Sequence, residues 1–272
     1  MMRVFDLAPH PLLRPCIDRF WGWECGPAEQ VALPVLLPGT GAEMFFHHGA
    51  PFQPAVETVN PAVLQQSHLL CVRRRPLPLA AQRGIGFVAI RFRAGRLGRL
   101  MAIPARECLD LQLPAEELWG NAGRELAERV AAARDFPGRV ALLEDFLLRR
   151  LENGCQDALV EAAVDRIYRN PQDANIALLA DSLGIGRRQL ERRFLQQEGI
   201  SPAEFRRVTR FQKGVRRLML EPSLPVLDAA LDHGYYDQAH FCRDFKSFCG
   251  RSPACHLATA RRMTHFYNTP RA

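Results

Sequence analysis

Gly234-Tyr235-Tyr236-Asp237-Gln238-Ala239-His240-Phe241-Cys242-Arg243-Asp244-Phe245-Lys246, followed by Gly250-Arg251-Ser252-Pro253-Ala254, echoes a stretch that occurs earlier in the chain. Leu190-Glu191-Arg192-Arg193-Phe194 lies 51 residues before Phe241-Cys242-Arg243-Asp244-Phe245, and Gly199-Ile200-Ser201-Pro202-Ala203 lies 51 before Gly250-Arg251-Ser252-Pro253-Ala254. Upstream, Ile176, Ala180 and Gly184 match Val226, Ala230 and Gly234 at an offset of 50. The second copy therefore has one more residue in its turn, before Asp237. Matches at a fixed offset in so many turn and cap positions point to two copies of one supersecondary unit.

Each copy has the parts of a helix-turn-helix. A short helix carries an Ala (Ala180, Ala230), small enough for a second helix to cross closely. A Gly turn follows (Gly184, Gly234), then the second helix. In that helix Leu190 and Phe194, and likewise Phe241 and Phe245, stand four residues apart and share the inward face. The residues pointing away are Arg188, Glu191, Arg192 and Leu195 in copy one, flanked by Arg187 and Arg193. In copy two they are Ala239, Cys242, Arg243 and Lys246, flanked by Gln238 and His240. Arg on such a face can pair bidentately with guanine in the major groove, and Gln with adenine. Asp237 stands where an N-cap belongs, with Gly186 as its weaker counterpart. Ser201-Pro202 and Ser252-Pro253 each read as an N-cap followed by Pro at the first helical position.

Between the copies the pattern predicts one helix from Pro202 to Leu220, ended by Pro222. Its nineteen residues would span roughly 28 Å at 1.5 Å each, enough to set two recognition helices about one DNA turn apart. Phe205, Val208, Val215 and Met219 form its apolar stripe. Arg206, Arg207, Arg210, Lys213 and Arg217 lie mostly opposite. Gly186 to Arg217 holds ten basic and three acidic residues, a net +7 that equals the net charge of all 272 residues. Arginine bias alone, with only Lys213 and Lys246 as lysines, does not predict that concentration. It suits phosphate contacts, with Arg193, Arg206, Arg207, Arg210 and Lys213 as the candidates.

The rest of the chain reads differently. Residues 1–103 are mainly strand and turn, with apolar runs at Val31–Leu37, Glu43–His48 and Gly86–Arg93, the last alternating with period two. From about 104 to 153 the pattern turns helical, and Asn153-Gly154 is a plausible stop. The expected organisation is α+β: a β-rich part with a helical extension over 1–155, an all-α part over 156–262, and a tail at 263–272. The eight cysteines contain no Cys-x-x-Cys pair, so no zinc ribbon or finger is indicated. No apolar run is long enough to span a membrane and the start has no leader pattern, so a cytoplasmic protein without a membrane partner is expected.

From about Asp157 to Ala260 the chain resembles the AraC/XylS family of regulators, most specifically in the Gly234–Lys246 string and Gly250-Arg251-Ser252-Pro253. The resemblance implies two helix-turn-helix units joined by a helix and reading adjacent major grooves of double-stranded DNA. Base-contacting sites carry over to Arg188, Glu191 and Arg192, and to Gln238, Ala239, His240 and Arg243. Departures from the family pattern are Gly186 for the commoner Ser, the outward Leu195, the acidic Glu191, and Cys255-His256. Leu36-Leu37-Pro38-Gly39 and Ile90-Arg91-Phe92 resemble an N-terminal domain found fused to this unit. In the family such domains often form a cupin-like barrel that senses a small molecule or dimerises. RNA polymerase, a small-molecule effector and a second copy of the chain are thus candidate partners, although two units allow a monomer to occupy one site.

An open barrel lined by Trp21, Trp23, Phe45, Phe46 and Phe92 is the candidate effector pocket. Glu43, His47, His48 and His68 are candidate metal ligands by residue type. Adjacent His47 and His48 would point to opposite faces of a strand, so neither metal nor cofactor is expected. The rival of a different class is a DNA-repair or metal-dependent enzyme carrying the same DNA-binding unit. The four-cysteine cluster such repair chemistry needs is missing, and no Gly-x-Ser-x-Gly, Walker loop or paired-carboxylate site stands out, so no enzyme is expected.

Overall fold

The computed structural model describes residues 2–55, 66–101, 103, 105–151 and 157–260. The predicted helix stop at Asn153-Gly154 and the predicted tail lie outside the described residues. The N-terminal part is built on a six-stranded antiparallel sheet in the order β1 (Arg3–Leu7), β2 (Ile17–Glu24), β7 (Gly86–Phe92), β4 (Glu43–His47), β5 (Ser67–Leu70) and β8 (Gln112–Leu113). A two-stranded companion pairs β3 (Gln30–Val31) with β6 (Gln82–Arg83).

Side-chain alternation divides the sheet into two buried faces. Trp21, Trp23, Phe45, Phe87 and Ala89 look one way, into a core shared with Leu33, Leu36, Phe52, Leu77 and Leu79. Phe20, Met44, Phe46, Val88, Ile90 and Phe92 look the other way, toward the helices. The period-two reading of Gly86–Arg93 is what the structure shows. The Val31–Leu37 run behaves otherwise. Beyond β3 it makes only the single bridge Leu36 to Leu77. Pro34 and Pro38 lack the N–H a ladder needs, so the run contributes buried side chains rather than a strand.

Three helices follow: α1 (Ala115–Trp119), α2 (Asn121–Ala132) and α3 (Phe136–Leu151). At the start of α3 the Phe136 ring stacks on Phe5 at 4.6 Å, beside Gly22, where any larger side chain would collide with it. Seven helices then occupy the described residues from Asp157 onward: α4 (Ala158–Arg169), α5 (Ile176–Ser182), α6 (Arg187–Glu198), α7 (Pro202–Leu220), α8 (Val226–Asp232), α9 (Gln238–Cys249) and α10 (Pro253–Ala260). The chain thus has a sheet-rich part followed by an all-helical part, the fold class its sequence indicates.

The apolar core does not stop where the sheet-rich part ends. One continuous cluster runs from Leu13 and Phe20 through Leu143 and Leu147 to Val160, Val164, Leu190, Phe194 and Phe205. Polar contacts reinforce the junction. Glu161 on α4 is held by Arg99 (Nε, 2.6 Å) and Arg96 (3.3 Å), and Arg96 also reaches Asp165 at 2.7 Å. On α7, Gln212 Oε1 accepts from both the backbone N–H and the hydroxyl of Thr40, each at 3.2 Å, with Gly39 packed against its amide.

Glu198, the last residue of α6, is buried in this junction, accepting from Gln197 Nε2 at 3.2 Å. Burial pushes its carboxyl up to about 7, against the pull of Gln197 and Arg96. An acid with a raised folded-state pKa is protonated in both states at low pH. It destabilises the fold progressively as pH climbs from 4.5, its ordinary value, through about 7. Glu198→Gln should therefore match the wild type below about pH 4 and exceed it by about 3 kcal/mol at about pH 8. Thermal unfolding across that range measures the difference. A gap independent of pH would show that the carboxyl is ionised throughout.

Candidate nucleic-acid interface

In each repeat a short helix, a glycine turn and a longer helix close on a small core. Asn175 caps α5 by accepting from the N–H groups of Ala177 (2.9 Å) and Leu178 (3.2 Å). Ala180 and Ala230 are fully buried where the helices cross. The turns superpose in their hydrogen bonds. Gly184 and Gly234, at φ +70° and +73°, donate to Asp181 and Leu231, and the next residues, Ile185 and Tyr235, donate to Ala180 and Ala230. A left-handed turn at that position favours glycine. Leu190 and Phe194 of α6, and Phe241 and Phe245 of α9, are buried as their spacing predicts.

The opposite faces are open. Arg187, Arg188 and Arg192 on α6 are exposed, and so are Gln238, Ala239, Arg243 and Lys246 on α9. Leu195 is half exposed, an apolar side chain on an otherwise polar face. Glu191 is partly covered and pairs with Arg187 at 2.9 Å. His240 leans edge-on against the Tyr235 ring, 5.1 Å away, which turns it partly inward. Asp237 caps α9 by accepting from the His240 N–H at 2.6 Å, whereas Gly186 brings no side chain to α6. Ser201 caps α7 through the Glu204 N–H at 3.2 Å.

The basic residues behind these faces are those named from the sequence as candidates for phosphate contacts. Each has an intramolecular partner. Arg193 Nη2 reaches Asp157 at 2.7 Å. Burial alone would raise the Asp157 carboxyl, but Arg193 and the N–H groups of Leu159 and Val160 together hold it below its usual range. Arg206 donates to the Ala174 carbonyl at 2.7 Å, and Lys213 to that of Arg169 at 2.9 Å. Arg210 donates to the carbonyls of His233 (2.9 Å) and Gly234 and lies over the Tyr235 ring at 4.1 Å. Arg207 reaches Asp244 (2.9 Å) and Ser247 (2.8 Å). Carbonyls at helix ends and turns have no partner within their own element, and these long side chains supply one. Helical periodicity places such residues on the polar side of α7 but does not reveal the neighbouring carbonyls.

In the sheet, the five aromatic candidates do not share one space. Trp21, Trp23 and Phe45 line one face, and Phe46 and Phe92 the other, because Phe45 and Phe46 are consecutive in β4. Of the metal candidates, Glu43 pairs with Arg91 at 2.6 Å. His47 and His68 stack with centroids 5.1 Å apart, while His48 lies 3.4 Å from Glu24 on the other side. Among the described residues no cluster of three or more His, Cys, Asp or Glu is arranged to hold a metal ion, and no helix is long and apolar enough to cross a membrane.

The repeated geometry defines a helix-turn-helix module, and residues 179–259 match the family described as a helix-turn-helix domain. Over this segment the chain is similar to AraC-type helix-turn-helix domains. Residues 6–114 match a domain of unknown function, DUF6597. An uncharacterized HTH-type transcriptional regulator of Haemophilus influenzae is 32% identical over 117 residues, covering 43% of this chain and 39% of its own. The HTH-type transcriptional regulator MtrA of Neisseria gonorrhoeae is 34% identical over 104 residues, covering 38% and 34%. The matched segment thus spans little more than a third of either relative. Among solved structures, apo ToxT from Vibrio cholerae aligns over 95% of this chain and 96% of its own, at 15% identity and a TM-score of 0.46. The C-terminal domain of AraT, a response regulator from Geobacillus stearothermophilus, aligns over 42% and 93%, at 29% identity and a TM-score of 0.36.

The ties on α7 give a direct expectation. Arg210→Ala leaves the His233 and Gly234 carbonyls without their donor and should lower stability by about 1–3 kcal/mol. Arg188→Ala, on an exposed face, should leave the melting temperature unchanged. Thermal unfolding of both variants without DNA distinguishes a structural tie from a side chain free to serve DNA alone.

Proposed function

We propose that the protein is a transcription regulator that reads two adjacent major-groove segments of double-stranded DNA, one with α6 and one with α9. The observation that carries this reading is the equivalence of the two units. Each buries the same face of its second helix and opens the other, and the open faces present Arg188 and Arg192 in one unit and Gln238 and Arg243 in the other. Arg and Gln are the side chains suited to guanine and adenine edges. Lys246 and Arg187 flank these faces and suit phosphates. Arg207, half exposed beyond its bond to Asp244, has further donors to offer.

The same reading gives the sheet-rich part a controlling role. It is docked on α4 through Arg96, Arg99 and Glu161, and on α7 through Thr40 and Gln212, so a change in the sheet has a physical route to both units. His47 supports a small-molecule effector acting there. It is fully buried among Phe45, Phe52 and Phe87, and neither ring nitrogen has a hydrogen-bond partner among the described residues. Burial, with His68 and His48 nearby, holds it neutral, and a neutral imidazole has one donor and one acceptor to satisfy.

Selection of genomic fragments by the purified protein tests the DNA reading. The wild type should enrich sites with two short elements about 10 base pairs apart. Arg243→Ala should lose about 1–3 kcal/mol of discrimination at one position of the second element only. Equal retention of all fragments by the wild type would rule out sequence-specific reading.

A further inference from the structure

The two units differ by one inserted residue, and the structure identifies it. Ile185 and Tyr235 are equivalent through their hydrogen bonds to Ala180 and Ala230, and Gly186 and Asp237 are equivalent as the residues preceding α6 and α9. The residue left over is Tyr236. Its side chain is 88% exposed, the most exposed large hydrophobic residue described. Its neighbour Tyr235 is buried against Phe241, with ring centroids 5.0 Å apart, and is covered by Arg210. Tyr235 is anchored inward, and Tyr236 beside it, at the bend before α9, faces outward. Folding gives no reason for an aromatic ring in that position, since exposing it forgoes the burial that favours such side chains.

The position supplies a reason. Tyr236 immediately precedes the cap of α9, next to Gln238 and Ala239 at the end of the helix that enters the groove. In helix-turn-helix docking the N-terminal end of the recognition helix meets base edges. Residues just outside it lie over the flanking sugar-phosphate chain, where tyrosine hydroxyls are among the groups that bind phosphate oxygens. We propose that Tyr236 is a DNA-backbone contact peculiar to the second unit. Its ring packs on a deoxyribose, and its hydroxyl donates to a phosphate at the rim of the groove read by α9. This inference rests on the DNA-reading function proposed above.

The test compares wild type, Tyr236→Ala, Tyr236→Phe and Arg243→Ala on the selected site and on unrelated duplex. Backbone contacts carry no sequence information. Tyr236→Ala should therefore weaken binding to both duplexes alike, by roughly tenfold, the scale of a hydrogen bond to a charged group. Base preference and melting temperature should not change. A neutral phenol releases no counterion, so the salt dependence should also stay the same. Tyr236→Phe should fall between, and phosphate-ethylation interference should lose one position beside the second element. Wild-type affinity in Tyr236→Ala, with Arg243→Ala impaired, overturns the proposal while leaving the DNA-reading function intact. Unchanged DNA affinity with reduced transcription would overturn it in favour of a contact to a protein partner. A wild type that selects no site would remove both readings together.

Discussion

Two helices keep a fixed spacing and orientation only if the element between them holds its shape, and burial of α7 provides that constraint. Val208, Phe211, Val215 and Leu218 are fully buried, and with Phe241 and Phe245 they form the core of the second unit. Phe205, at the other end of α7, lies in the core of the first unit, edge-on to Phe194 at 5.4 Å. One helix thus belongs to both cores. Its polar side is fixed as well, because Arg206, Arg210 and Lys213 donate to the ends of neighbouring turns and helices. These bonds suit arginine in particular, since a planar fork can serve two carbonyls at once, as Arg210 serves His233 and Gly234.

The basic excess between Gly186 and Arg217 therefore has two physical uses. Arg188 and Arg192 on α6 stay open to a partner, while Arg206, Arg210 and Lys213 on α7 donate to backbone carbonyls at the ends of neighbouring elements. A group already paired inside the protein does not forfeit all attraction for a phosphate, because guanidinium carries more donors than one carbonyl can use. The local field of the module is set by both sets together.

The helical half was legible in the sequence because its signals are local and repeated. The Ala, Gly and Ser-Pro positions recur at fixed offsets, and helical spacing separates Leu190 and Phe194 from Arg188 and Arg192. The α7 span from Pro202 to Leu220 was readable from its cap and its terminal proline. Partnership across the chain was not readable. Nothing in the periodicity of α7 says that Gln212 faces Thr40 or that Lys213 meets the Arg169 carbonyl. In the sheet the alternation of Gly86–Phe92 was plain, but the division of Phe45 from Phe46 follows only once strand register is known. Val31–Leu37 resembled a strand by composition, and its prolines ruled out the ladder.

The continuity of the main core has a consequence for how the molecule comes apart. The sheet, α3, α4 and the first helix-turn-helix share one apolar cluster, in which Gly95 sits directly against Val164. The second unit has its own cluster, joined from the sheet side by Leu37. Cooperative unfolding follows shared burial rather than sequence order. The first unit therefore shares its burial with the sheet, while the second is tied to both through α7 and Leu37. Severing the chain near residue 155 would lay bare the side of α4 that carries Val160 and Val164. The first helix-turn-helix is thus, in packing terms, an outgrowth of the sheet-rich part, and the second is joined to it chiefly through α7.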